Sequence, residues 1–385
     1  MKKVRAGKEG VHGYKHILLA QKMRNVFLNS LGTAVPDHTL DRESASNFMK
    51  RFLNNEKNID DQIDILFRAS GIQKRYTFIQ DYLPGQKFTF FPESDNLEPF
   101  PSTAERMAFF KNEGSLLAEK AAQNALVDSS FLKKDITHLI TVSCTGMYAP
   151  GLDLELQDKL ELNKDLKRTN INFMGCFAAV TALRMASEIS MGNPNAVILV
   201  VCLEACTIHF QKDYTEDNLL ANALFGDGSA AAIVSSKNSD LATEIIGFHS
   251  EIKQSSSNEM AWDIGDKGFL MKLSSYVPEV INESIKEFVD QIKVKLNVNS
   301  FNAYAIHPGG KAILKHIKTQ LGLSEKEMSS SNHVLKNYGN MSSASILFVL
   351  EHLLKSGGLN ESKNILGMAF GPGLTFESVV LNSSS

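Results

Sequence analysis

The chain has 385 residues, 43% hydrophobic and 22% charged, with a formal net charge of −3. That length allows two domains or one large duplicated one with sizeable cores, and the near-neutral charge leaves no electrostatic footprint for nucleic acid. No apolar run approaches the roughly 20 residues that span a bilayer, and four cysteines (Cys144, Cys176, Cys202 and Cys206) are too few for a disulfide framework, so a reducing, cytoplasmic setting is expected.

The first residues, MKKVRAGKEGVHGYKH, are basic but lack the apolar stretch of a secretory signal, and residues 1–23 read as a solvated arm. Residues 102–130 carry the pattern of a long amphipathic helix, with Gly114 as a candidate interruption. HLITVS (138–143), NAVILVVCLE (195–204) and SAAAIVSS (229–236) read as strands, apolar enough for a sheet covered on both faces. SSKNSD (235–240) is a polar connector, and it divides the chain into residues 24–240 and 241–385. Residues 277–297 read as a second long helix with Pro278 in its first turn. AYAIHP (303–308), KNILGMAF (363–370) and ESVVLN (377–382) close the series as strands. Strands alternating with helices predict an α/β fold.

Cys176 follows NINFMG and opens a helix whose near side is Ala178, Ala179, Ala182 and Ala186. A helix N-terminus stabilises a thiolate and lowers a thiol pKa, so a nucleophile fits here. So does a small buried hydrophobe, which cysteine often is. His307 stands directly after a strand and before Pro308, Gly309 and Gly310, and Asn340 sits in a glycine-flanked turn before a serine-rich helix start. All three fall at strand–helix junctions, where α/β proteins gather their sites. CLEACTIH puts Cys202, Cys206 and His209 at a C-x3-C-x2-H spacing, yet the first part is a strand and no fourth ligand is near, so no metal is expected. FGDG and GPG lack phosphate-loop spacing and read as tight turns.

GCFAAVTALRMA, LFGDGSAAAIV, AIHPGGKAIL, NYGNMSSASILF and AFGPGLTFESVVL, in that order and at those separations, resemble the type III polyketide synthases. These are the chalcone synthase-like branch of the thiolase-fold condensing enzymes. The resemblance covers residues 24–382. It implies a five-layered α-β-α-β-α thiolase fold with two related halves, a homodimer, CoA thioesters as substrates, and no redox cofactor or metal. It further implies that Cys176 takes the acyl starter as a thioester and that His307 keeps that cysteine ionised. His307 and Asn340 would bind the thioester carbonyl of malonyl-CoA and hold the enolate formed on decarboxylation. Phe225 matches the gatekeeper between CoA tunnel and cavity; Gly371, Pro372 and Gly373 match the loop shaping the cavity wall; and Ser342 falls on that wall.

Several cavity positions depart from the plant pattern. Cys144, Cys206 and His209 replace hydroxyl residues, Met271 a second gatekeeper phenylalanine, Trp262 a glycine, and Ala149 a methionine. A flexible Met271 opposite a bulky Trp262 reads as a linear acyl tunnel, as in microbial members that make alkylpyrones or alkylresorcinols from fatty acyl starters. Arg68 and Lys311 are the candidate CoA contacts. Other basic positions of the family do not align, which leaves an acyl carrier protein, or a fused fatty-acid-synthase-like module, as an alternative donor. The rivals are a single-condensation ketoacyl synthase of the fatty-acid initiation type, against which H-P-G-G speaks, and a non-catalytic acyl-binding protein of the same fold.

Overall fold

The computed structural model describes residues 24–53, 59–239, 242–256, 259–274, 276–356 and 363–383. The arm over residues 1–23 lies outside the described residues. The chain forms β1 (Val26–Ala34), β2 (His38–Asp41), α1 (Arg42–Phe52), α2 (Asp60–Ala69), β3 (Lys74–Thr77) and α3 (Thr103–Val127). Next come β4 (His138–Ser143), α4 (Leu152–Lys159), β5 (Lys167–Asn172), α5 (Ala178–Gly192), β6 (Val197–Ala205), α6 (Glu216–Leu224) and β7 (Asp227–Ser235). After the connector follow β8 (Thr243–Ile252), β9 (Met260–Gly265), β10 (Gly268–Leu273), α7 (Val277–Leu296) and β11 (Ala303–Ile306). α8 (Lys311–Leu321), α9 (Ser329–Tyr338), α10 (Ser345–Lys355), β12 (Lys363–Gly371) and β13 (Thr375–Ser383) complete it.

Nine strands form one sheet in the order β11-β12-β13-β8-β1-β7-β6-β4-β5. β1 is the seam. It pairs antiparallel with β7 along most of its length, and with β8 through Val26–Ile245, Phe27–Glu244 and Leu28–Thr243. Because side chains alternate across a strand, β6 feeds two cores. Leu199, Val201 and Leu203 pack with Ala118, Ala121 and Ala125 of α3 on the outer side. Ile198 and Val200 pack with Ala182 and Ala186 of α5 on the inner side. The same inner core takes Ile346, Val349 and Leu350 of α10, and Ile365 and Val379 from β12 and β13. The opposite face of those strands, with Leu366, Met368 and Val380, packs on Ile281, Ile285 and Phe288 of α7 and Ile317 of α8. The result is helix, sheet, central helices, sheet, helix. Burial of each such aliphatic side chain contributes about 1.5–3 kcal/mol, and the alanines of α5 let it lie close between the two half-sheets.

The long helix expected at 102–130 is α3, started by a capping box in which Ser102 and Glu105 satisfy one another's backbone. It is not interrupted at Gly114. A Cβ there would fall 2.7 Å from Leu203 Cδ2, so the glycine is where helix and strand β6 approach. Among the described residues no helix is long and apolar enough to cross a membrane.

Candidate active site

Cys176 lies between β5 and α5, in the turn two residues before the helix. Gly175 precedes it at φ +90°, a conformation that disfavours any side chain. A Cβ there would also fall 2.2 Å from Pro372 Cδ. Gly371 meets the same turn from the other side, since its Cβ would fall 3.2 Å from the Cys176 nitrogen and 2.7 Å from the Phe177 ring. Pro372 therefore lines the cavity while Gly371 clamps the cysteine turn from behind it.

His307 follows β11, and its backbone N–H donates to Met368 O at 2.8 Å. Asn340 follows α9 and is tied to the end of α6, its N–H donating to Leu224 O and its carbonyl accepting from Gly226, both at 3.0 Å. Buried Arg75 donates to Phe225 O at 2.9 Å and to Asn222 O at 2.7 Å, which fixes the gatekeeper's backbone. One cavity is lined by Cys176, His307 and Asn340, with Cys144, Ser342 and Phe225. Its remaining wall is largely apolar, with Met260, Leu273, Ile313 and Phe370.

The Asn340 amide has a defined direction. Ser342 N–H donates to Oδ1 at 2.9 Å, and Ser342 itself is held at φ +45°. Nδ2 is left to face the histidine loop, where it makes only a long 3.4 Å contact to Gly309 O. A ligand oxygen could replace that contact at small cost. Cys176 Sγ stands 4.0 Å from Asn340 Oδ1.

Burial dominates the ionisation of both reactive candidates. It pushes the Cys176 thiol up to about 12, with the Ser342 hydroxyl pulling the other way, and pushes the His307 imidazole down to about 3. The helix-end lowering expected for the thiol is thus outweighed by desolvation. Among the described residues neither His307 ring nitrogen has a hydrogen-bond partner. At these values thiol and imidazole are both neutral.

Cys206, Phe225, Trp262 and Met271 line this cavity and also a second chamber behind it. The rear chamber is walled by Leu40, Phe48, Met49, Phe210 and Phe269. Trp262 and Met271 face each other across the β9–β10 pair, and the Trp262 indole N–H donates to Cys144 O at 2.6 Å.

His209 is not on the catalytic cavity. It borders the rear chamber, where its Nε2 bonds Thr145 O at 2.7 Å and its Nδ1 accepts Phe269 N–H at 3.0 Å. Cys202 packs in the core against α5. With Cys202 turned that way and both His209 nitrogens bound to backbone, the C-x3-C-x2-H spacing does not converge. Ala149 is exposed and is not among the residues lining either cavity of this chain. Arg68 and Lys311 are both exposed. The Lys311 stem runs 3.1 Å from where a Cβ on Gly71 would stand, just beyond the end of α2 that carries Arg68.

The sequence reading passed over Glu204. This fully buried carboxylate accepts from Cys144 N–H, from the Thr145 hydroxyl at 2.8 Å, and from Ser343 N–H and hydroxyl. It ties the Cys144 turn to the turn after Asn340. The available signal was one acid inside the apolar run LVVCLEA.

His209, like His307, is held down to about 3 by burial. A base whose folded pKa lies below its unfolded value of about 6.5 adds stability that is complete above pH 6.5 and is lost as pH falls toward 3. The slope is about 1.4 kcal/mol per pH unit for each group. Asp227, raised to about 6 by burial, opposes this between about pH 6 and 4. Removing one histidine isolates its share. In urea unfolding from pH 6.5 to 4.5, His209→Gln should lose about 2.3 kcal/mol less than the parent. Parallel pH curves would mean that His209 is not held neutral.

Residues 19–238 match the family model for the N-terminal domain of chalcone and stilbene synthases, and residues 248–385 match that for the C-terminal domain. The chain is 32% identical over 369 residues to probable polyketide synthase 1 of Dictyostelium discoideum, covering 93% of this chain but 11% of that one, so it spans about a tenth of that relative's length. It is 31% identical over 372 residues to type III polyketide synthase A of Arabidopsis thaliana, covering 92% of each. Among solved structures, the C-terminal type III polyketide synthase domain of Steely1, a type I/III hybrid from Dictyostelium, superposes with a TM-score of 0.86 at 31% identity, over 94% of this chain and all of that one. PKS-I from the brown alga Ectocarpus siliculosus gives a TM-score of 0.88 at 26% identity, over 94% and 99%. The chain belongs to the chalcone and stilbene synthase family: it is a type III polyketide synthase of the thiolase fold, an acyltransferase of the condensing class.

Proposed function

We propose that this enzyme loads a linear acyl starter on Cys176 and extends it with malonyl-CoA, releasing a cyclised pyrone, resorcinol or phloroglucinol-type product. The observation that carries the reading is the convergence of Cys176, His307 and Asn340 on one largely apolar cavity. Loading makes a thioester at Cys176 Sγ: the acyl bond to the CoA sulfur breaks, the thiol proton passes by way of His307 to that sulfur, and free CoA leaves. Malonyl-CoA then enters with its thioester oxygen toward Asn340 Nδ2–H and a His307 N–H. The bond to the carboxylate breaks, CO2 departs, and the electron pair resides on the enolate held by those two donors. The enolate carbon attacks the Cys176 thioester carbon, a carbon–carbon bond forms, and the thiolate leaves. A fixed donor in a dry site is worth about 10²–10³ in rate, and the apolar wall keeps water from both thioesters.

Arg68 and Lys311, both exposed, are the residues proposed to receive the CoA phosphates; the Lys311 stem lies against Gly71, which follows the end of α2. The protein works as a homodimer in this proposal, as is typical of the family. An acyl carrier protein is the alternative starter donor. The acyl-chain reading rests on the rear chamber, whose wall joins Leu40, Phe48, Met49 and Phe210 with polar groups of Arg75 and Gln211. In a competition among C6–C16 acyl-CoA starters and coumaroyl-CoA, with products followed by mass spectrometry, the linear chains should dominate. A clear preference for coumaroyl-CoA would overturn the acyl-chain reading.

A further inference from the structure

Of the four residues that line both the catalytic cavity and the rear chamber, the β9–β10 hairpin supplies Trp262 and Met271, and Cys206 and Phe225 come from the segments after β6 and α6. What holds that hairpin in place is visible at His209. Phe269 N–H donates to Nδ1, so Nδ1 carries a lone pair and Nε2 carries the proton given to Thr145 O. The ring stacks on Phe269 with centroids 4.2 Å apart and planes at 12°, and meets Trp262 edge-on at 5.8 Å. Trp262 repeats the tie through its own bond to Cys144 O. The turn they grip is also fixed to the cysteine loop, since Gly175 N–H donates to Cys144 Sγ at 3.0 Å.

We propose that His209 is a positioning residue that pins the β9–β10 hairpin to the Cys144–Thr145 turn, and so sets which starters pass from the catalytic cavity into the rear chamber. A hydroxyl side chain could not span Thr145 O and Phe269 N at once. The hairpin has other anchors, since Thr103 holds Gly268 N and Gln211 holds Lys267 O. Loss of His209 therefore loosens the partition without dissolving the hairpin.

The proposal builds on the acyl-starter reading, and one experiment separates the two. The ratio of kcat/KM for dodecanoyl-CoA and hexanoyl-CoA is measured for the parent, His209→Ala, His209→Gln and Trp262→Phe, with malonyl-CoA decarboxylation in parallel. His209→Ala should change the ratio about tenfold or more, mostly through KM, with a smaller change, under about threefold, in decarboxylation. His209→Gln keeps a donor and an acceptor and should return the ratio toward the parent's. Trp262→Phe, which keeps a ring but loses the bond to Cys144, should shift the ratio as His209→Ala does, and it carries the test if the alanine variant does not fold. An unchanged ratio, or starter use and decarboxylation falling in equal proportion, overturns the proposal. If the parent accepts neither linear starter, the acyl-chain reading fails, and the partition is then tested on the longest and shortest aromatic starters it does accept.

Discussion

Replacing Cys176 with alanine is expected to reduce polyketide formation by roughly 10³–10⁶-fold, the range seen when a covalent nucleophile is removed, while malonyl-CoA is still converted to acetyl-CoA and CO2. The split follows from the geometry. Carbon–carbon bond formation needs the acyl group on Sγ, whereas decarboxylation needs only the two donors, and His307 and Asn340 stand on elements that do not carry the cysteine. The substitution removes one buried sulfur beside Gly175 and Pro372 and leaves the turn's backbone in place, so the melting temperature should change little. The check is product mass spectrometry beside acetyl-CoA release. Unchanged condensation would remove Cys176 from the mechanism. Loss of both activities with an intact fold would mean that decarboxylation also depends on the thiol.

Asn340→Ala should lower condensation and decarboxylation together, by about 10²–10³ in kcat, as loss of one oxyanion donor does. The backbone bonds of Asn340 to Leu224 and Gly226 survive that change, so a loss of this size would not reflect a displaced turn. Asn340→Asp is the sharper companion. It keeps the oxygen that accepts Ser342 N–H but places negative charge where the enolate forms, and should be no better than alanine. Steady-state rates for both reactions decide it, and a selective loss of condensation alone would place Asn340 outside the decarboxylation step.

What could be read from the chain follows the physics of each segment. HLITVS is uninterrupted and apolar, and it is β4 to the residue. KRTNIN forms the edge strand β5 with most of its side chains in solvent, so no periodicity marks it. The β9–β10 pair alternates buried and exposed positions irregularly because it faces two cavities rather than one core. Gly114 looked like a helix breaker because spacing along one helix does not reveal a strand pressed against it. Cys176, His307 and Asn340 were legible only as ordered motifs, since the cysteine lies more than a hundred residues from the other two. His209 read as a cavity residue from its position. Its two backbone partners, Thr145 and Phe269, lie sixty or more residues away in sequence and could not be seen in CLEACTIH. The thiol's high pKa was equally hidden, because a helix end is written in the sequence and the depth of burial is not.

The seam strand also governs how the molecule is made. β1 is translated early, yet its partners β7 and β8 end at Ser235 and Ile252. At ordinary synthesis rates the ribosome needs roughly 10–40 s to reach them. α3 and α5, against which its side chains pack, emerge within that interval, but both hydrogen-bonding edges of the strand still lack their native partners. Assembly of the sheet is therefore a late event that couples the cysteine-bearing and histidine-bearing parts of the chain. A nascent chain halted before residue 243 should engage chaperones, and one released beyond residue 252 should have its central strand paired on both sides.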